Sequence, residues 1–186
     1  MGEQAVAGAI ERFMEQARRS IARGHGPAER EEIGRRLGEL AGSDAISTSA
    51  IHARLHGMSA EFTILAKDPE GPTLMLARFP ETEPTPVHDH KSWGVAYVLS
   101  GRDRHLHWRR LDDGSEPGRA RLAIDDDRAI PQGGVVHWSD PPDDIHSQQG
   151  IGGPAFELVF FGQDPTVRPR NYFDPERQTV RAVRPA

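Results

Sequence analysis

The apolar positions of this chain change period near residue 59. Before it, Val6, Ile10, Phe13, Ala17 and Ile21 fall at the spacing of one helical face, which predicts a helix over residues 3–22. Gly24 and Gly26 end it. Pro27 suits the first turn of a second helix, where its missing N–H costs nothing. Ile33, Leu37 and Leu40 supply that helix's inner face. Ser43 or Asp44 is placed to cap a third, short helix with Ile51 and Leu55 inward and Gly57 at its end. Residues 1–58 therefore read as a helical cover.

From Ser59 onward the pattern is that of short strands separated by turn residues. Glu61–Ala66 and Thr73–Phe79 read as strands joined by Asp68-Pro-Glu-Gly71. Val95–Leu99, His105–Leu111, Arg119–Ile124 and Gly133–Trp138 follow. Ala155–Phe161 is apolar throughout and reads as a central strand. The acidic run Asp125–Asp127 reads as a solvated turn. The Arg- and Pro-rich tail from Asp164 is expected to wrap the surface. Strands at this spacing predict an all-β closed barrel or jelly roll over residues 59–186, forming one compact domain with the helices.

Composition narrows the function. The 186 residues include 19 Gly and 15 Pro, and 36% are hydrophobic, which suits many turns better than a helical bundle. A formal net charge of −5 argues against general nucleic-acid binding. No apolar run approaches the roughly 18–20 residues of a membrane span. There is no cysteine, hence no disulfide and no thiolate ligand. With no export signal in view, the cytoplasm is the expected compartment.

The chemistry-bearing stretch runs from Thr85 to Gly101. His88 and His90 lie two apart between a Pro-rich turn and an apolar run. On a strand, residues i and i+2 face the same side, about 7 Å apart along the backbone. Two imidazoles so placed suit a shared metal ion at about 2.0–2.1 Å, the distance usual for zinc. His146, in Pro141-Pro-Asp-Asp-Ile-His146, is the natural third ligand.

These two segments resemble the paired motifs of the cupin superfamily. The first motif usually carries a glutamate after the histidine pair, and here that position is Gly94. In the second, Asp143 stands where a glycine is usual. A three-histidine site without the glutamate is similar to the cysteine dioxygenase and 3-mercaptopropionate dioxygenase family of thiol dioxygenases. The resemblance rests on residues 85–95 and 141–146, with Phe161-Gly162 and Phe173-Asp-Pro-Glu176 resembling the family's strand end and tail. It implies a double-stranded β-helix with N-terminal helices packed on one side. It also implies ferrous iron, Fe(II), held by three neutral imidazoles, although Ni, Mn or Zn can fill such a site in purified protein. The implied partners are a small-molecule thiol, oxidised to a sulfinate, and O2, and a homodimer is compatible with it.

Two departures matter. The family's Ser-x-His-x-Tyr positions fall on Glu157, Val159 and Phe161, and its carboxylate-gripping arginine falls near Glu61. Arg78, Arg168 or Arg170 could replace the arginine. If Glu61 faces inward, an amine-bearing substrate becomes an option. The alternatives left open are a cupin enzyme using another metal on a non-thiol substrate, and a non-catalytic cupin that binds a small molecule.

The remaining candidates divide between pocket and packing. His105 and His107 form a second pair on a strand and could ligate a rival metal, but without an identifiable third partner they are expected to line the barrel, face solvent or orient a ligand. His52 and His56 have helical spacing but lack a zincin glutamate. Trp93 is either a pocket wall or core. Tyr97 lies on the next strand. Asp89 points away from the metal side and suits structural hydrogen bonding. His137 could approach the site or lie on the surface, and His25 has no evident partner.

Overall fold

The computed structural model describes residues 3–43, 46, 62–69 and 71–184. Two helices, α1 (Glu3–Ile21) and α2 (Pro27–Gly42), precede eleven strands. Ile33 and Leu37 are fully buried on α2 and Phe13 and Met14 nearly so on α1, each such side chain contributing about 1.5–3 kcal/mol. The expected third helix, with Ile51, Leu55 and Gly57, lies outside the described residues, as do His52, His56 and Glu61.

The strands are β1 (Phe62–Lys67), β2 (Thr73–Phe79), β3 (Val87–His88), β4 (Gly94–Ser100), β5 (Arg102–Arg110), β6 (Leu122–Pro131), β7 (Val135–Trp138), β8 (His146–Gly150), β9 (Ala155–Phe161), β10 (Arg170–Asp174) and β11 (Thr179–Val183). They form two sheets, ordered β1-β2-β9-β4-β7 and β11-β10-β3-β8-β5-β6. All the pairings are antiparallel. This is the two-sheet sandwich of a double-stranded β-helix, with helices against one side.

The middle strands of the first sheet, β2, β9 and β4, are buried on both faces, which explains their continuous apolar runs. Leu74, Leu76, Phe156, Leu158 and Phe160 pack with the helices. Met75, Ala77, Val159 and Phe161 turn the other way, into the barrel. Alternation along a strand sends neighbours to opposite faces, so β2 and β9 each serve two cores. β9 occupies the middle of its sheet, as its sequence suggested.

Two sequence expectations are corrected here. The tail from Asp164 does not merely wrap the surface: β10 pairs with β3, and β11 pairs with β10. Asp125–Asp127 is not a turn but part of β6. Its carboxylates pair with arginines, as in Arg104–Asp127 at 2.7 Å and Arg109–Asp125 at 3.2 Å. An edge strand bearing charges resists pairing with other chains.

Candidate metal centre

Two strand ends and the segment just past β3 bring the histidines together. His88 on β3 lies directly opposite His146 on β8. His90 is not on the strand: β3 ends at His88, and Lys91 takes a positive φ of 57°. His90 Nε2 lies 3.1 Å from both His88 Nε2 and His146 Nε2. Ligand atoms at about 2.1 Å from one cation lie about 3.0–3.4 Å apart for right-angled to tetrahedral directions, which the two separations from His90 match, and all three ligand atoms lie within 4.8 Å of one another. All three side chains are buried.

The surroundings set which nitrogen is free. His88 Nδ1 donates to the Pro86 carbonyl at 2.8 Å, which leaves the Nε2 lone pair for a cation. Burial pushes His88 down to about 4, and pushes His90 and His146 well below the usual imidazole range, with the neighbouring rings adding to the effect. The rings are thus neutral at pH 7, the form that binds metal. No carboxylate joins the three-histidine group among the described residues.

The segments carrying the imidazoles are tied by buried acids. Asp144 Oδ2 accepts from the backbone N–H groups of His90 and Lys91. Asp89 accepts from Asn171 N and Nδ2, both at 2.8 Å, and from Lys91 Nζ at 2.6 Å. Asp89 therefore joins the histidine loop to β10.

The imidazoles open onto a cavity of about 420 Å³. Its apolar wall comes from Met75, Ala77, Phe79, Trp138, Val159 and Phe161, and its polar groups include Arg78, Thr85, Gln148, Thr166, Arg170 and Tyr172. The charge of Arg170 reaches His88 and His90 and opposes their protonation. Arg170 donates to the Pro165 carbonyl at 3.1 Å, and no carboxylate among the described residues pairs with it.

Several sequence candidates lie elsewhere. Trp93 is not a pocket wall: it packs in the core shared with the helices, stacked on His25 at 5.6 Å. Tyr97 also faces the helices, beneath Gly38. His25 has a second partner, Asp140, at 2.9 Å, contrary to the expectation of none. His137 is exposed on the far side of Trp138. Val159 and Phe161 do line the cavity, whereas Glu157 lies beyond its lining, fully buried. His105 is buried with its ring 5.1 Å from that of His146. His107 binds the Asp143 carbonyl through Nε2 at 3.1 Å and does not reach the cavity lining.

Among the cavity residues that were not sequence candidates, Gln148 and Trp138 left a signal in the chain. Gln148 is two positions past His146, so strand alternation places it on the same face. Trp138 follows Val136 at the same spacing. Tyr172 left none, because β10 sits in the stretch expected to be tail.

Behind Gln148 lies a buried polar layer. Gln148 Nε2 donates to Glu157 Oε2 at 2.9 Å and to Asp103 Oδ2 at 3.2 Å. Burial, then the charge of Asp103, pushes the Glu157 carboxyl well above its usual range. His105 Nδ1 is 3.7 Å from Asp103 Oδ2. Asp103 Oδ1, Glu157 Oε1 and His105 Nδ1 have no hydrogen-bond partner among the described residues.

No known family profile matches the chain, and no curated protein does either. Solved structures do. One is an RmlC-like cupin protein from Ralstonia eutropha JMP134, with a TM-score of 0.42, 18% identity and 65% of each chain covered. Another is a cupin superfamily protein from Desulfitobacterium hafniense DCB-2, with a TM-score of 0.42 and 15% identity over 59% of this chain and 87% of that one. A third is a point mutant of Bacillus subtilis oxalate decarboxylase, with a TM-score of 0.37 and 21% identity over 51% of this chain and 22% of that one. The chain thus spans about 65% of the length of the Ralstonia protein. The chain's own architecture is two antiparallel sheets preceded by two helices.

Proposed function

We propose that the protein is a mononuclear non-haem iron dioxygenase that oxidises a small thiol to a sulfinate. The observation that carries the reading is the buried three-imidazole cluster without a carboxylate ligand. Three neutral ligands leave a divalent cation its full charge, and an anionic sulfur ligand offsets that charge where a carboxylate would not. The choice of iron and of a thiol leans on the resemblance of residues 85–95 and 141–146 to thiol dioxygenases. When bound, the iron supplies the site at which thiolate and O2 meet and at which O2 is activated. The overall change balances without an outside reductant: a thiolate and O2 give a sulfinate, both oxygen atoms going to sulfur.

The chain's own residues provide the setting. His88, His90 and His146 would hold the cation, at the wall of the cavity that they line. Met75, Val159, Phe161 and Trp138 exclude water, which strengthens electrostatics at the site. Arg170 supplies positive charge for an acidic group on the substrate, in place of the arginine missing near Glu61. The test is metal analysis of purified protein followed by oxygen uptake with a panel of small thiols. The expected result is iron-dependent uptake with a product two oxygen atoms heavier than the thiol. Iron-loaded protein that consumes no oxygen with any of them would overturn the proposal.

A further inference from the structure

Gln148 spends both of its amide hydrogens away from the cavity that it lines. One goes to Asp103 and the other to Glu157, neither of which is solvent-exposed or among the cavity-lining residues. Rotating the amide by half a turn would aim its oxygen at two carboxyl groups. The amide would then supply neither of the two N–H donors that Asp103 Oδ2 and Glu157 Oε2 now accept from. Leaving a buried carboxyl without its donor costs on the order of 1–3 kcal/mol, so the orientation is fixed. The amide oxygen is then the polar atom that Gln148 presents to the cavity.

We infer that Gln148 is a specificity-determining residue whose locked oxygen selects ligands bearing a hydroxyl or amine donor. Asp103 and Glu157 are positioning residues that act through it. The inference deepens the proposed function and rests on the same cavity, but it does not depend on iron, thiol or oxygen. It follows from the rule that a site built to accept a hydrogen bond rejects the analogue that lacks the donor, because the buried acceptor is left unpaired. An exposed or rotatable glutamine would not discriminate in this way.

Two measurements test it. In 15N-labelled full-length protein, both side-chain amide hydrogens of Gln148 should exchange with solvent far more slowly than those of exposed glutamines such as Gln4 and Gln132. Rapid exchange would show that the lock does not exist. In the second, binding of butanoate, 2-hydroxybutanoate and 2-aminobutanoate is followed by calorimetry under nitrogen. At least one donor-bearing acid should bind about tenfold more tightly than butanoate, and Gln148→Met should reduce that ratio to near one. No preference in the native protein, no binding by any of the three, or a preference that survives Gln148→Met would each overturn the inference. Failure of oxygen uptake with thiols would leave these results standing, so the two proposals fail separately.

Discussion

Asp144 holds the backbone of Lys91: its Oδ2 accepts the Lys91 N–H at 2.7 Å and that of His90 at 3.1 Å. Because Asp144 lies two positions before His146, one carboxylate ties the loop of the third imidazole to that of the second. It also holds Lys91 at its positive φ, a conformation with a cost for any residue but glycine. Asp144→Ala should cost about 2 kcal/mol in denaturant unfolding and about 10–100-fold in metal affinity. A variant that binds metal normally would show that the clamp does not position the imidazoles.

Gly94 lies where the cupin motif usually has its glutamate, and the structure gives a reason for the change. A Cβ at Gly94 would lie inside the indole of Trp138, whose Nε1 donates to the Ser92 carbonyl at 2.9 Å. The tryptophan fills the room a fourth ligand would need. Gly94→Ala should therefore lower stability by about 1–3 kcal/mol through overpacking, read as a reduced urea midpoint. An unchanged midpoint would mean that the indole moves freely.

The metal-free protein should lose stability as pH falls from 6.5 towards 4.5. His88, His90 and His146 are neutral when folded and titrate near 6.5 when unfolded, so unfolding takes up protons on three imidazoles. Two carboxyls act in the opposite sense. Glu157 is raised well above its usual range, and burial lifts Asp144 to about 6, so both hold protons in the folded state. The three imidazoles, with the partly buried His137 shifted in the same direction, outweigh the two carboxyls, so unfolding takes up protons on balance and stability falls as pH falls. Urea midpoints measured between pH 7 and 4.5 check the sign, and bound metal should shift the loss to lower pH. A midpoint that rises on acidification would contradict the neutral imidazoles.

Arg170→Ala should weaken binding of acidic thiols by about 10–100-fold, as expected for a lost charge-assisted hydrogen bond. The loss should appear in KM more than in kcat, and Arg170→Lys should restore part of it. Neutral thiols should be little affected. Equal loss for acidic and neutral thiols would show that Arg170 shapes the cavity rather than recognising charge.

What the sequence made legible was whatever the hydrophobic pattern dictates locally. The bounds of β2 and β9 follow from the apolar runs Thr73–Phe79 and Ala155–Phe161. β8 was hidden because His146-Ser-Gln-Gln-Gly150 faces a polar layer and so carries no apolar alternation. β10 and β11 were hidden because their role is set by partners distant in sequence. Trp93 and Trp138 show the limit most clearly. Both are buried aromatics near turns, and only the register of β4 with β7, which places Gly94 opposite Trp138, decides which of them reaches the cavity.

The pairing of Tyr172 with His88, and of Asn171 with Asp89, has a consequence for biosynthesis. The strand that flanks the first imidazole is translated long after it. A nascent chain carrying all three histidines, but not yet Arg170–Asp174, lacks the neighbour that steadies β3. Premature termination ahead of that segment would leave a polypeptide with all three histidines but without the strand that pairs with His88.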